Sequence, residues 1–191
     1  LRTHLRISGG GITAGSATQT RGTPNYDGGG RGIVAEGASL IISGGSISSG
    51  NIVPVSGPFI GGRALDLLGL DFFEMSGGDV TGATSGMFLT QTPFSISGGS
   101  IRTTVEASSA TVMEIVNASG VISGGEFSIA DTSPTLYGDM FEATSTTLSI
   151  YGGLFDVNAT WNLETGSRFT VYGYDLALVA PPPYRAGRLV G

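Results

Sequence analysis

The stretch GIVAEGASLIISGGSISSGN, residues 32–51, alternates large apolar residues with small or polar ones on both sides of a glycine pair. Leu40 and Ile42 lie two positions apart before Gly44, and Ile47 follows that glycine by three positions. An apolar residue at every second position is typical of a β-strand with one buried face. The stretch therefore predicts short strands joined at a glycine corner, where glycine supplies a positive φ or room for a close backbone approach.

The glycine-centred word recurs along the whole chain. Its copies are ISGG at 7–10, ISGG at 42–45, MSGG at 75–78, ISGG at 96–99, ISGG at 122–125, IYGG at 150–153 and VYGY at 171–174. The first glycines of successive copies are separated by 35, 33, 21, 26, 28 and 21 residues. A fixed unit with insertions of variable length predicts a repeat architecture.

The same apolar positions recur around each copy. Two residues before the first glycine stand Ile7, Ile42, Met75, Ile96, Ile122, Ile150 and Val171, and three residues after it stand Ile12, Ile47, Val80, Ile101, Phe127, Phe155 and Leu176. A second short strand is predicted upstream of most copies, within residues 32–40, 64–70, 86–92, 112–118, 139–145 and 160–166. One such unit cannot bury its own apolar side chains, so the units must stack.

These patterns predict an all-β fold, a parallel β-helix (β-solenoid) of about seven coils with glycine-rich corners. Each coil would lie about 4.8 Å from the next, with the apolar positions forming inward ladders. Residues 1–180 are expected to form this single domain. Pro181, Pro182 and Pro183 stop strand pairing, so residues 181–191 are expected to form a proline-rich extended arm.

Composition excludes several classes of protein. Glycine supplies 33 of the 191 residues, far above the usual share of roughly 7%, which does not suit a helical bundle or a helical solenoid. The net charge of -6 argues against a nucleic-acid partner. No apolar run is long enough for a membrane span, and the absence of cysteine excludes disulfides and thiolate metal sites. Leu1, in place of an initiator methionine, indicates a processed chain or a fragment.

Three of the quoted words resemble known repeats. Residues 32–51 resemble a coil of the right-handed parallel β-helices of the pectin-lyase-like class. The words IYGGLF at 150–155 and FTVYGYDLALV at 169–179 resemble repeats of large bacterial secreted or surface-sorted β-helix proteins. The resemblance implies an extracellular or cell-surface location. It does not fix an activity, because this fold is used by lyases, hydrolases, adhesins and inert structural rods.

Signatures of an enzyme are weak in this sequence. The single histidine, His4, lies at the first predicted strand, where no cleft would surround a catalytic base. We therefore predict no catalytic residues, no cofactor and no metal site. A Ca²⁺ site and a pair of carboxylates for glycoside hydrolysis stay open alternatives. The closest acidic clusters are Asp66, Asp71 and Glu74, and Asp139, Glu142 and Asp156.

The extra length falls in residues 13–31 and 48–63, which are expected to project from one edge of the rod as tolerated loops or as a binding loop. Tyr26 and Asp27, beside Arg31, are the contact candidates in the first of them.

Two acceptor sequons for N-glycosylation begin at Asn117 and Asn158. Tyr151 and Tyr172 occupy the same position of neighbouring units and are expected to stack outward, a contact that more often stabilises a protein than binds a sugar.

The two ends decide the functional prediction. The first recognisable coil has no preceding cap, and the last one runs directly into the prolines. Solenoid ends expose unpaired backbone and an apolar cross-section, which favours head-to-tail association of copies. We therefore predict a structural extracellular protein, a subunit of a self-assembling filament or surface layer. A fragment of a larger β-helix would show the same open end.

The alternative function is a secreted carbohydrate-binding or carbohydrate-active β-helix, with extracellular polysaccharide as its partner. The predicted assembly interface consists of Leu5, Ile7, Ile12, Phe169, Val171, Leu176, Pro181, Pro182 and Pro183.

Overall fold

The computed structural model describes residues 4–18, 30–50, 52–53, 62–104, 110–129, 138–155, 160–172, 177–179 and 188–190. Within these ranges the chain is all-β and contains no helix. The strands are β1 (His4–Thr13), β2 (Ala17–Thr18), β3 (Ile33–Glu36), β4 (Ser39–Ser48), β5 (Ile52–Val53), β6 (Arg63–Leu68), β7 (Phe72–Gly82), β8 (Ser85–Thr90), β9 (Phe94–Thr103), β10 (Thr111–Val116), β11 (Ser119–Ile122), β12 (Glu126–Ile129), β13 (Asp139–Thr144), β14 (Thr147–Ile150), β15 (Leu154–Phe155), β16 (Thr160–Leu163), β17 (Arg168–Val171), β18 (Ala177–Val179) and β19 (Arg188–Val190).

Two parallel sheets contain most of these strands. The long sheet has the order β1-β4-β7-β9-β11-β14-β17, and β12 and β15 extend it beside β9. The short sheet has the order β16-β13-β10-β8-β6-β3. The strands of the two sheets alternate along most of the chain, and each strand pairs with one that lies a full repeat away. Parallel pairing through crossovers of this kind is compatible with a β-solenoid.

The pairing register confirms the apolar columns predicted from the sequence. Leu5 pairs with Leu40, Ile7 with Ile42, and Ile12 with Ile47. The middle column continues through Met75, Ile96, Ile122, Ile150 and Val171. Most members of this column are fully buried. The predicted second strands are also present, as β3, β6, β8, β10, β13 and β16.

The core lies between the inward faces of the two sheets. The short sheet contributes a column in which Leu65, Met87, Met113 and Phe141 are neighbours across successive strands, and each of these four side chains is fully buried. Side chains of the long sheet complete the same cluster. Because each column repeats at every strand, the hydrophobic core runs along the whole stack.

The paired glycines lie inside the strands β1, β4, β7 and β9, where the pairing register shifts. Only the second glycine of each pair has a positive φ, for example +89° at Gly99. The first glycine serves a different purpose. A Cβ atom on Gly98 would lie 2.7 Å from the carbonyl oxygen of Ser76 on the neighbouring strand.

Two further pairs of strands lie outside the main sheets. β2 pairs with β5 in parallel, which joins the beginnings of the two long insertions. β18 and β19 form an antiparallel pair, and β19 lies beside β15. Pro181, Pro182 and Pro183 lie outside the described residues. No helix of the described ranges is long and apolar enough to cross a membrane.

Candidate functional site

One edge of the long sheet is formed by β1, whose residues are exposed or half-buried throughout. Leu5 and Ile12 belong to inward columns, yet 46% and 38% of their surfaces are exposed. Ile7 is partly buried and packs against the core. In the described residues, β1 therefore presents unpaired backbone together with an aliphatic cross-section of the core.

The opposite end of the stack is formed by β17, the other edge of the long sheet, together with β16, the edge of the short sheet, and its cross-section is aromatic. The rings of Trp161 and Phe169 both pack edge-on against Phe141, with centroid separations of 5.1 and 5.5 Å. Phe169 and Val171 are half-buried members of the predicted interface. Leu176 and the three prolines of that prediction lie outside the described residues. The structure thus places five of the nine predicted interface residues, three at one edge and two at the other.

The first glycine of each repeat distinguishes β1 from the strands that follow it. At Gly44, Gly77, Gly98, Gly124 and Gly152, a Cβ atom would lie 2.5 to 3.0 Å from a carbonyl oxygen of the preceding repeat. At Gly9, in the same column, no atom of the described residues lies within 4 Å of that position. The open side of Gly9 is therefore the side on which a further strand would stack.

Tyr151 and Tyr172 stack face to face on the outer surface, as predicted, with ring centroids 4.4 Å apart. Both side chains are about half exposed. Desolvation raises the pKa of Tyr151, and the neighbouring Tyr172 adds to the shift. They continue the column that holds Ser97 and Ser123 in the preceding repeats, and Tyr172 is the last described member of that column, directly after β17.

Charged residues collect on the outer face of the short sheet. Arg63 forms a 2.7 Å ion pair with Glu114 and lies 4.1 Å above the ring of Phe88. Glu142 pairs with Glu114 across β10 and β13. Burial raises the pKa of Glu142, and the charges of Glu114, Asp139 and Glu164 add to the shift while Arg63 opposes it. On this face Glu114 is thus paired with a cation, while Glu142 lies among other carboxyl groups that raise its pKa.

Two of the other predicted contact residues, Arg31 and Asp66, lie together. Arg31 forms a 2.7 Å ion pair with the buried carboxylate of Asp66, so this aspartate is separated from any open acidic cluster. Tyr26, Asp27 and Asp156 lie outside the described residues. Within the described part of the chain, no group of three histidine, cysteine, aspartate or glutamate residues is arranged to hold a metal ion.

A second row of bends connects the short sheet to the long sheet, and it was not predicted from the sequence. One residue with positive φ follows each strand of the short sheet or lies close behind it: Gly37, Gly69, Gln91, Asn117, Ser145 and Gly166. We call these residues the left-handed row. The N–H of a member donates a hydrogen bond to the carbonyl of the residue just before the next member, as in the 3.0 Å bond from Gln91 N–H to the carbonyl of Val116, which precedes Asn117. The residue types differ, so no common word marks the row; three glycines and an asparagine were the available signal.

Comparison with known proteins found no matching family model, no matching curated protein and no matching solved structure.

Proposed function

We propose that this protein is a structural extracellular or cell-surface subunit, a β-solenoid of about seven coils with glycine-rich bends that assembles head to tail. The proposal includes the resemblance to pectin-lyase-like β-helices of the secreted or surface-sorted type. It is supported above all by the two edges of the long sheet. β1 and β17 belong to the same set of columns and both have apolar side chains without a complete covering.

The proposed joint continues the observed register across two chains. Along the long sheet, the column that begins at Leu5 ends at Phe169, and the column that begins at Ile7 ends at Val171. A second copy placed with its β1 beside β17 would therefore set Leu5 against Phe169 and Ile7 against Val171. Apolar contacts and parallel backbone hydrogen bonds would then repeat those inside one chain. Such a joint depends little on salt, because few charges take part in it.

Gly9 offers a test that separates assembly from folding. In the joint, the open side of Gly9 would face the Tyr172 carbonyl of the neighbouring copy, as the open side of Gly44 faces the Ser8 carbonyl within one chain at 2.7 Å. Gly9→Ala should leave the thermal stability of the isolated subunit unchanged, because nothing in the described part of the chain lies within 4 Å of the added methyl group. The same methyl group should block elongation by contact with the neighbour's backbone.

The measurement is light scattering and electron microscopy of the purified chain across a concentration series, with melting of the dilute subunit as the folding control. Ser97→Ala, an exposed change on a central strand, should elongate like the wild type. A wild-type chain that stays monomeric at high concentration contradicts the proposal, as does a Gly9→Ala chain that forms filaments normally.

The enzymatic alternative has its best location on the outer face of the short sheet. Glu114 is already paired with Arg63 there, and Asp66 is buried against Arg31. Neither of these two carboxylates is free to act as a general acid or base on a bound substrate, which leaves Glu142, whose pKa is raised, without a free partner in Glu114. The assembly function is therefore the better supported of the two.

A further inference from the structure

Tyr151 and Tyr172 replace serine in one column on the outer surface of the long sheet. The earlier repeats carry serine directly before the first glycine, at Ser8, Ser43, Ser76, Ser97 and Ser123. The last two repeats carry tyrosine at this position. Among the described residues these are the only tyrosines, and both lie beside the edge strand β17 or its neighbour β14.

The backbone holds the two tyrosine rings in register. Tyr151 N–H donates a 2.7 Å hydrogen bond to the Ile122 carbonyl, and Tyr172 N–H donates one of 2.8 Å to the Ile150 carbonyl. The ring centroids lie 4.4 Å apart and the ring planes are 5° from parallel. Desolvation raises the pKa of Tyr151, and the charge of Tyr172 and a hydrogen bond to its side chain add to the shift. The two hydroxyl groups therefore lie together, and the ring carbons ortho to them face each other.

The stacked tyrosines can be reached from solvent and carry the chemistry needed for a covalent link. Tyr151 is 54% exposed and Tyr172 is 46% exposed. The stacked rings of Phe127 and Phe155, in contrast, are buried and have no hydroxyl group. These 191 residues contain no cysteine and no lysine, so neither a disulfide nor a lysine-derived link can form between their repeats. Tyrosine can form such a link, because two phenols couple when they are oxidised.

We propose that Tyr151 and Tyr172 form a site of oxidative cross-linking, at which hydrogen peroxide and a peroxidase join the two rings as dityrosine. Each phenol gives up one electron and its hydroxyl proton, and the two radicals form one bond between the ring carbons ortho to their oxygens. The hydrogens on those two carbons then move to the oxygens as protons, which restores both phenols. Hydrogen peroxide accepts the two electrons and the two released protons, its O–O bond breaks, and two water molecules form.

The stack favours this bond over links to other chains, because two groups held in contact react without a bimolecular encounter. The rings must tilt to bring the bonding carbons together, and their exposed sides leave room for this movement. In the main path of the long sheet, β17 has β14 as its one neighbour within the chain, and structure at such an end opens most easily. The link would therefore fasten the least supported strand of the sheet. Both tyrosines belong to one chain, so the site does not depend on the proposed assembly.

The test is oxidation of the full-length protein in dilute solution by a haem peroxidase and limiting hydrogen peroxide. After proteolysis, mass spectrometry should find the peptides of Tyr151 and Tyr172 joined, with a mass two hydrogen atoms below their sum. This link should account for most of the dityrosine, and its rate constant should not depend on protein concentration. Tyr137→Phe, which removes a different tyrosine, is the control and should leave the yield unchanged.

A rescue variant tests the geometry of the column. Tyr172→Phe should lower the yield of dityrosine about tenfold or more. Adding Ser123→Tyr should restore the yield as a link to Tyr151, because residue 123 is the neighbour of Tyr151 on the other side of the column. Hydrogen exchange of the β17 amides should slow after oxidation of the wild type and stay unchanged after oxidation of Tyr172→Phe.

These results together would support the site. The proposal is overturned if other tyrosine pairs dominate, if the link joins different chains, if the double variant forms no link to Tyr151, or if hydrogen exchange in β17 does not slow.

Discussion

The two glycines of each repeat are required for two different physical reasons. The second has a positive φ, which β-branched and bulky residues avoid, as at Gly99. The first, as at Gly98, has no positive φ but lies against the backbone of the preceding strand. The sequence predicts that the pair is special, and it does not distinguish these two causes, because both lead to the same residue.

Gly98→Ala should destabilise the fold by about 1–3 kcal/mol, the usual cost of overpacking. The added methyl group would lie 2.7 Å from the Ser76 carbonyl oxygen, so the two strands must separate. Gly9→Ala is the matched control, since it occupies the same column with open space beside it. Denaturant unfolding of both variants measures the difference. Equal losses of stability would contradict the steric explanation.

Gly120 shows what neighbouring strands can conceal from a sequence. It interrupts a column that otherwise contains large apolar residues, such as Leu148 and Phe169. In the structure the ring of Phe94 fills the place of its missing side chain, 2.1 Å from where a Cβ atom would lie. The glycine at this position is understandable only when the pairing of β9 with β11 is known.

The apolar columns of the long sheet were predictable because they repeat the same residue type at a fixed distance from a glycine. Ile42, Ile96 and Ile122 each satisfy that rule and are buried. The left-handed row was not predictable in this way. Its members share a backbone conformation rather than a side chain, and Gln91 and Ser145 are residue types that rarely adopt it.

At the scale of a strand, Ile96→Asp should unfold the protein or cost several kcal/mol, because it buries an unpaired charge. Ile96 is 1% exposed and lies between Met75 and Ile122 in its column. Ser97→Asp, one residue further and exposed, is the control and should change stability little. Circular dichroism during thermal unfolding distinguishes the two. Two similar melting curves would mean that the column does not face inward.

The stability of the protein should depend on pH through Glu142 in the short sheet. Because its pKa is raised above the ordinary 4.5, the folded state holds this proton more tightly than the unfolded state. The resulting stabilisation is present below the ordinary value and is lost as the pH rises through the raised pKa. Glu142→Gln should therefore raise the melting temperature at pH 7, and the gain should disappear near pH 4.

Glu126→Gln, at an exposed site on β12, removes the same formal charge and controls for net charge. Melting temperatures of both variants are compared with the wild type between pH 4 and pH 7. A gain for Glu142→Gln that is largest at the acidic end would contradict the sign given above.

At the scale of the molecule, the two ends differ in composition as well as in position. One cross-section is aliphatic, with Leu5 and Ile12 exposed, and the other is aromatic, with Trp161 and Phe169 half-buried. Unlike ends favour heterologous contacts, which build open filaments rather than closed pairs. If the proposed filament forms, a Gly9→Ala chain would keep its aromatic end able to bind, so a small proportion of it should stop growth of the filament at one end only.

The unequal strand numbers of the two sheets would affect the mechanics of the proposed filament. Among the described residues, the main path of the long sheet contains seven strands and the short sheet contains six. If β1 of one copy lies directly beside β17 of another, the strand that should separate β16 from the neighbour's β3 is absent from the short sheet. Each joint would then have a notch about 4.8 Å wide on one side. A rod notched once per subunit on a single side bends most easily toward that side, so its flexibility would have both a direction and a regular period.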